Sequence, residues 1–421
     1  MKFSRYLTIC ILGSTLLLFA ACSTQNTIVN PSPGTWRIVH SMNPGVAQNG
    51  LSAVSATSAN DAWAIGYFSN EHLITQGGGK ALIEHWNGSA WGAVESPKTP
   101  LDNSILSGVA AISPTDAWAV GLAYSNSTNA QQTLIEHWDG TSWAIVKDPS
   151  PTNGAQLSAL TALSATNIWA VGMYVNNLGQ TLNARTLIEH WNGTAWTVVQ
   201  SPNPGSGLNY LTGIAAISAN DIWAAGFSSG DQTVQGMQAT LIEHWNGTAW
   251  TVVQSQSPGT NGNTLSAITA ISANDVWAVG NTDNGSPGTN NALIEHWNGK
   301  SWSNVTGQNP GKESNNLNAI VARSSHDIWA VGNFNSVFSD QQAQPLIEHW
   351  NGSAWSTVVS PNIGTNNTSL SGIGLVPHST NIWAVGSGAT YGTVNVPTPS
   401  ATQATNVMSI TAQTLVESCC S

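Results

Sequence analysis

From Trp36 onward the chain repeats one arrangement of apolar and polar positions. The clearest copy runs LTGIAAIS (211–218), NDIWAAG (220–226), TLIEHWNG (240–247) and TAWTVVQS (248–255). Each piece is short, rich in β-branched residues and partly alternating, so each is expected to be a strand. The second piece carries Trp63, Trp118, Trp169, Trp223, Trp277, Trp329 and Trp383, at intervals of 51 to 55 residues. The third piece ends at Trp86, Trp138, Trp191, Trp245, Trp297 or Trp350, and the fourth holds Trp36, Trp91, Trp143, Trp196, Trp250, Trp302 and Trp355. Seven, six and seven account for all 20 Trp, so each one marks a repeat position.

Asn-Gly, or Asp139-Gly140, separates the third and fourth pieces and predicts a hairpin with a type I′ turn. The ends of the pattern complement each other. The chain opens on a lone fourth strand, TWRIVHS (35–41). It closes on LSGIGLVP (370–377), NIWAVG (381–386) and TLVES (414–418), with no fourth strand after them. Pairing the first strand with the last three makes a closed ring, which leaves only short sheet edges. The expected fold is all-β: a seven-bladed β-propeller of four-stranded antiparallel blades, the last closed by the N-terminal strand.

The period lies near that of kelch repeats. The layout IWAAG (222–226), HWNG (244–247) and TAW (248–250) resembles kelch-type propellers, including the propeller domain of galactose oxidase. The resemblance covers residues 36–418 and departs in having one Gly where kelch repeats have a pair. It implies architecture only. The radical oxidase chemistry of galactose oxidase needs a Cys near a Tyr, and no Cys lies between Cys22 and Cys419.

The first 35 residues do not follow the repeat. Lys2 and Arg5 precede an apolar run, Leu7 to Ala21, that is short for a membrane span. It ends Leu18-Phe19-Ala20-Ala21-Cys22, which resembles the lipobox of bacterial lipoproteins. The expected organisation is a signal peptide (1–21), a lipidated Cys22 with a polar tether (22–35), and the propeller (36–421). The tether, stretched, reaches roughly 40 Å. This places the protein in the bacterial cell envelope, lipid-anchored outside the cytoplasmic membrane.

Charged residues make up 7% of the chain, against about 25% in ordinary globular proteins, and the net charge is −11. Only 10 Lys and Arg are present, which argues against a nucleic-acid partner. The four Cys show no metal spacing and no disulfide framework. No cofactor and no metal is expected, and the chain is expected to be monomeric.

Chemistry is tempting at Glu84-His85, Glu136-His137, Glu189-His190, Glu243-His244, Glu295-His296 and Glu348-His349. Repetition in six blades argues for architecture, since a catalytic centre is single. A two-residue turn places Glu84 opposite Trp91. The Glu of one blade is expected to meet the His of the next, or to accept an indole N–H, and Ser418 after Glu417 interrupts any such ring. Asp61, Asp116, Asp221, Asp275 and Asp327, with Asn167 and Asn381, invite a calcium reading. A turn-forming Asx role explains Asp and Asn equally.

Function should lie where the repeats differ. The connections from strand two to three, and from blade to blade, are long and variable, and a four-stranded meander brings both to one face. Stretches such as NTDNGSPGTNN (281–291), LAYSNSTNAQQ (122–132) and SPNPGSGLNY (201–210) are amide- and hydroxyl-rich and suit a neutral glycan or a protein ligand. The leading reading is a non-catalytic, surface-tethered binding module. A second is an extracellular carbohydrate-active enzyme, a glycoside hydrolase or lyase. Its candidate catalytic residues are Glu71, His72, Glu95 and Asp102 on two adjacent loops of that face. A third is a structural envelope protein. A sialidase is disfavoured, because Arg37, Arg185 and Arg323 are scattered over different blades.

The Cys22 assignment has a direct test. Cys22→Ala should release the protein from membranes or leave it uncleaved, because acylation of that thiol supplies the attachment. Unchanged membrane fractionation and an unchanged mature mass would contradict it.

Overall fold

A computed structural model describes residues 35–70, 78–149, 154–175, 183–230, 238–283, 285, 289–335, 343–361, 367–396 and 405–419. Cys22 and the rest of the leader lie outside the described residues. All described residues belong to one compact unit, Pro33–Ser421, and every regular element among them is a strand. The fourth blade consists of Asn209–Ser218, Asp221–Ser228, Ala239–Trp245 and Trp250–Val252. These pair antiparallel in chain order. Blades beginning at Gln48, Asn103, Ala155, Gly262 and Ser314 repeat it. A single parallel bridge, Asn290 to Ser314, joins two of them into one larger sheet.

The seventh blade closes the ring as the sequence implies. Its inner strands are Asn367–Leu375, Ile382–Val396 and Thr405–Cys419, and its outermost strand is Arg37–Ile38. Arg37 stands opposite Ser418 and Ile38 opposite Glu417. The backbone N–H of Val39 donates to the Val416 carbonyl at 2.8 Å. Beyond the blade proper, its middle strands continue as a two-stranded ribbon as far as the Val396–Thr405 pair. That extension was not read from the sequence.

Seven apolar clusters hold the ring, one at each seam between neighbouring blades. At the closing seam Leu51, Ala62 and Ala64 of the first blade meet Val376, Trp383, Val385 and Val416 of the last. Both faces of each blade are covered, which is why Ile222–Gly226 are buried without alternation. Most seams contain three Trp, from the second strand of one blade and the third and fourth of the next. Trp63, Trp138 and Trp143 are one such set, with ring centroids 4.9 to 6.1 Å apart. The seam into the seventh blade has two, Trp36 and Trp329, 5.8 Å apart. There Cys419 stands opposite Ile382, the place that Trp245 takes opposite Ile222. Cys419 is buried and disulfide-bonded, and its partner lies outside the described residues.

The second-strand glycine has a steric cause. A Cβ on Gly226 would lie 1.9 Å from the Tyr210 carbonyl oxygen, and one on Gly172 would lie 2.0 Å from that of Gln156. The first strand crosses closely there, with Leu211 or Leu157 opposite the Gly, and bulges at the following residue, Thr212 or Ser158, which has no partner in the register.

Several sequence expectations need correction. The third-to-fourth-strand turn is not a two-residue type I′ turn. Trp245 pairs with Trp250 and Glu243 with Val252, so four residues intervene. Only the Gly has positive φ, 93° at Gly247. The Asn246 side chain closes the loop by accepting the N–H groups of Thr248 and Ala249 at 3.0 Å. The same shift places Glu84 opposite Ala93 rather than Trp91.

The Glu-His pairs do not bond as a ring of alternating partners. Each His reaches back within its own blade to the Asp or Asn that starts the second strand. His244 Nε2 is 2.8 Å from Asp221 Oδ1, and Trp223 Nε1 donates to the same atom at 3.1 Å while its ring packs on His244. His190 uses Asn167 in the same way at 2.9 Å. The Asp and Asn residues therefore fasten strand three to strand two through a His, beyond a turn-forming role. In the seventh blade Ser418 replaces His and accepts Arg37 Nε at 3.0 Å.

Glu84, Glu136, Glu243, Glu348 and Glu417 are instead gripped by the linker leaving the preceding blade, whereas both Glu295 oxygens lack a hydrogen-bond partner among the described residues. Ser96 Oγ donates to Glu136 at 2.9 Å, Ser201 Oγ to Glu243 at 2.6 Å and Ser360 Oγ to Glu417 at 2.7 Å. Gln308 supplies its backbone N–H to Glu348 at 3.1 Å. The Glu series is thus complete at Glu417, and only the His series is interrupted. No indole serves these carboxyls: the fourth-strand Trp Nε1 atoms, and one oxygen of Glu84, Glu136, Glu243 and Glu417, have no partner among the described residues.

Two consequences are measurable. Deleting Thr35–Ser41 removes Trp36, which is 3% exposed, and bares the Thr405–Cys419 edge. The loss should be about 3 kcal/mol or more from the Trp alone, with self-association at the freed edge. A monomer with an unchanged melting temperature would contradict the closure.

The second concerns pH. Burial pushes Glu84, Glu136, Glu348 and Glu417 up to about 7, and Glu243 and Glu295 up to about 8. Between the ordinary Glu pKa of about 4.3 and these values, the native state holds protons that the unfolded chain has lost. Stability from these groups is complete below about pH 4 and is lost as pH rises through 7 to 8, by roughly 1.4 kcal/mol per unit for each group. The melting temperature should fall from pH 5 to pH 8, and Glu243→Gln should flatten that slope. A melting temperature that rises across this window would refute the assignment.

Candidate ligand site at the channel mouth

The first strands of all seven blades line a central channel. A cavity of about 310 Å³ is bounded by their bulge residues, Ser52, Ser107, Ser158, Thr212, Ser266, Asn318 and Ser371, and by the small and aliphatic residues that follow. A second space of about 450 Å³ lies further along, against Val109–Ile112 and Leu160–Ser164. The inner wall is therefore a belt of neutral hydroxyls and one amide above an apolar sleeve. Among the described residues no charged side chain lines it.

The frame around the variable face is rigid. The third strand of each blade begins beside the first strand of the next, and backbone bonds tie them. Gly79 O accepts Ser104 N at 2.9 Å, Gln238 O accepts Asn263 N at 2.8 Å and Ala343 O accepts Thr368 N at 2.8 Å. The Pro-Gly linkers are also held. Asn209 Oδ1 accepts the Gly205 N–H at 2.8 Å, and its Nδ2 donates to the Gly205 carbonyl at 2.8 Å. Asn49, Asn263 and Asn315 clasp Gly45, Gly259 and Gly311 in the same manner. A Cβ on Gly205 would fall 2.5 Å from the Ser229 carbonyl oxygen. Much of the amide content that looked available for ligands in SPNPGSGLNY thus builds the loop itself.

The blades diverge at the cross-strand pair next to the Leu–Gly crossing. In the first four blades these half-buried positions hold Tyr67, Ile105, Leu122, Met173, Tyr210 and Phe227, with Gln156 as the polar exception. In the last three they hold Thr264, Asn281, Asn316, Asn333, Ser369 and Ser387. Blades follow each other around the ring, so the mouth has an aromatic-aliphatic arc and an amide-hydroxyl arc. Tyr210 packs edge-on against Phe227, with centroids 5.5 Å apart, and its hydroxyl accepts from Gln156 and from Ser158 Oγ, the latter at 3.0 Å. Burial, then the neighbouring Tyr124, pushes the Tyr67 hydroxyl above its ordinary range.

The polar arc is linked to the channel belt. Asn318 Nδ2 donates to Leu370 O at 2.7 Å, and Ser369 Oγ donates to Asn333 Oδ1 at 3.3 Å. Thr264 Oγ1 donates to Asn281 Oδ1 at 2.7 Å. The Nδ2 donors of Asn281 and Asn333 have no protein partner among the described residues.

Of the four candidate catalytic residues, only Glu95 and Asp102 are among the described residues. Glu71 and His72 lie outside the described residues. Glu95 is exposed, and Asp102 accepts the Ser125 hydroxyl at 3.0 Å, anchoring the 125–130 loop. Among the described residues no cluster of His, Cys, Asp and Glu is arranged to hold a metal ion. The two-arc mouth was missed in the sequence. Its signal was present in the residue after each second-strand Gly: Tyr67, Leu122, Met173, Phe227, Asn281, Asn333 and Ser387.

No family model and no curated protein matches the chain. Among solved structures, one of YCF48 bound to a D1 peptide is similar at 12% identity and a TM-score of 0.49, covering 85% of this chain and 95% of that one. A structure of the polysaccharide lyase PL25 ulvan lyase, bound to -[GlcA(1-4)Rha3S]-, is similar at 12% identity and a TM-score of 0.49, covering 81% of this chain and 92% of that one. At that level of likeness nothing about ligand or chemistry passes to this chain.

Proposed function

We propose that the chain is a non-catalytic binding module, tethered to the envelope through a lipid on Cys22, that takes an uncharged polar ligand at the channel mouth. One observation carries this reading. The blades repeat each other at the seams, at most of the Glu clamps and at the Asn-clasped linkers, and they differ at half-buried strand positions beside the cavity wall, which Tyr210 reaches through Ser158. Sites built on strands hold their side chains more firmly than sites on loops. The half-buried positions hold no Lys, Arg, Asp or Glu, so they serve neither a phosphate nor a strongly charged peptide. The envelope location rests on the lipobox-like sequence ending at Cys22.

The experiment is to present the full chain, in detergent, to arrays of oligosaccharides and of peptides, and to chromatograph the bound ligand afterwards. Saturable binding with intact ligand recovered is the expected result. Cleaved or eliminated product would overturn the non-catalytic reading, and the absence of binding to either array would overturn the module reading.

A further inference from the structure

Among the described residues the mouth combines two unlike surfaces and no charged side chain in its ring. One side offers aromatic faces and a thioether. The other side offers the Nδ2 donors of Asn281 and Asn333, without a protein partner among the described residues. A pyranose has the matching halves: a face of C–H groups and a rim of hydroxyls. Aromatic rings accept the first by stacking, and amides pair with the second. The adjoining cavity of about 310 Å³ lies at the small end of ligand clefts. It fits a sugar residue or a short oligosaccharide end better than a folded protein surface.

Resting on the binding-module reading, we infer that the channel mouth is a site for neutral pyranosides, with the sugar's apolar face on Tyr210 and Phe227 and its hydroxyls on Asn281, Asn316 and Asn333. The geometry makes the aromatic arc the platform and the amide arc the selector. Tyr210 is held by Gln156 and Ser158, so its ring is fixed before any ligand arrives. Preorganised groups of this kind lower the ordering cost of binding. Asn281 and Asn333 are oriented because their oxygens already accept from Thr264 and Ser369. Their Nδ2 groups then remain to donate to a sugar hydroxyl. Uronic acids and sulfated sugars find no cation at the ring, so neutral sugars are favoured over acidic ones.

The test uses the full chain in detergent and an array of uncharged gluco-, manno- and galacto-configured oligosaccharides beside their uronate and sulfated counterparts. Neutral sugars should bind and acidic ones should not. Tyr210→Ala and Asn281→Ala should each weaken binding by roughly tenfold. Tyr210→Phe should retain it within about threefold, because the ring stays and only the hydroxyl is lost. Thermal melting confirms that each variant is folded, and Asn281→Ala, at a half-buried position away from the seams, guards against loss of Tyr210→Ala to misfolding. Preference for acidic sugars, or neutral-sugar binding that ignores both alanine variants, would overturn the site. Binding of a peptide and of no sugar would overturn this inference while leaving the module reading intact. Binding of neither would overturn both.

Discussion

Each blade has two apolar faces, and that constraint governs the rest of the molecule. A blade needs a neighbour on both sides to bury Trp, Leu, Ile and Ala from its second and third strands. An open stack would leave two faces bare, as unfinished repeat arrays do. Only a ring supplies every face with a partner, and at the closing seam Leu51, Ala62 and Ala64 find Trp383, Val385 and Val416. The chain ends must then share a blade, or the ring would be held by side-chain packing alone. Arg37 and Ile38 supply the shared strand. The departures from the repeat cluster there: Ser418 for His, Cys419 for Trp, and Arg37 bonded to Ser418 while Asn381 Oδ1 lacks the partner that a His gives its counterparts.

The buried carboxyls follow from the same constraint. Once both faces of the third strand are covered, its Glu cannot reach water. At Glu84, Glu136, Glu243, Glu348 and Glu417 a linker hydroxyl or N–H from the preceding blade becomes the partner, so these Glu couple two blades and the linker between them. Burial raises its pKa, and the group is most at ease protonated. Six such groups give the ring a stability that favours mildly acidic conditions, unlike proteins whose carboxylates are held by cations.

The architecture was legible because it depends on period and patterning, which a single chain displays many times over. Seven Trp-bearing second strands and complementary chain ends led to seven blades and their closure. Partners were less legible. A turn two residues longer than Asn-Gly suggests moved Glu84 from Trp91 to Ala93, and strand parity cannot reveal turn length. His244 found Asp221 because the second strand begins beside the end of the third, a proximity set by the antiparallel register that puts Trp223 opposite His244. The loops were read as decoration, yet Asn209 and Asn263 are occupied in closing them. Amide composition alone does not distinguish a ligand contact from a loop clasp.

The site lies where a one-residue alternation separates two tasks. Leu211 and Gly226 form the buried pair that fits blade to blade, and neither tolerates change: the Leu fills the seam and the Gly leaves room for a carbonyl 1.9 Å from where a Cβ would be. The adjacent pair, Tyr210 and Phe227, is only half-buried, and Tyr210 touches the preceding blade through its hydroxyl, on Gln156 and Ser158. Thr264 with Asn281, and Asn316 with Asn333, occupy the same places in later blades with the same backbone pairing. Side chains as unlike as Tyr and Asn are thus accommodated on one backbone pairing. A sevenfold frame can in this way carry an unsymmetrical mouth, and a ligand with two unlike sides would meet it in one orientation.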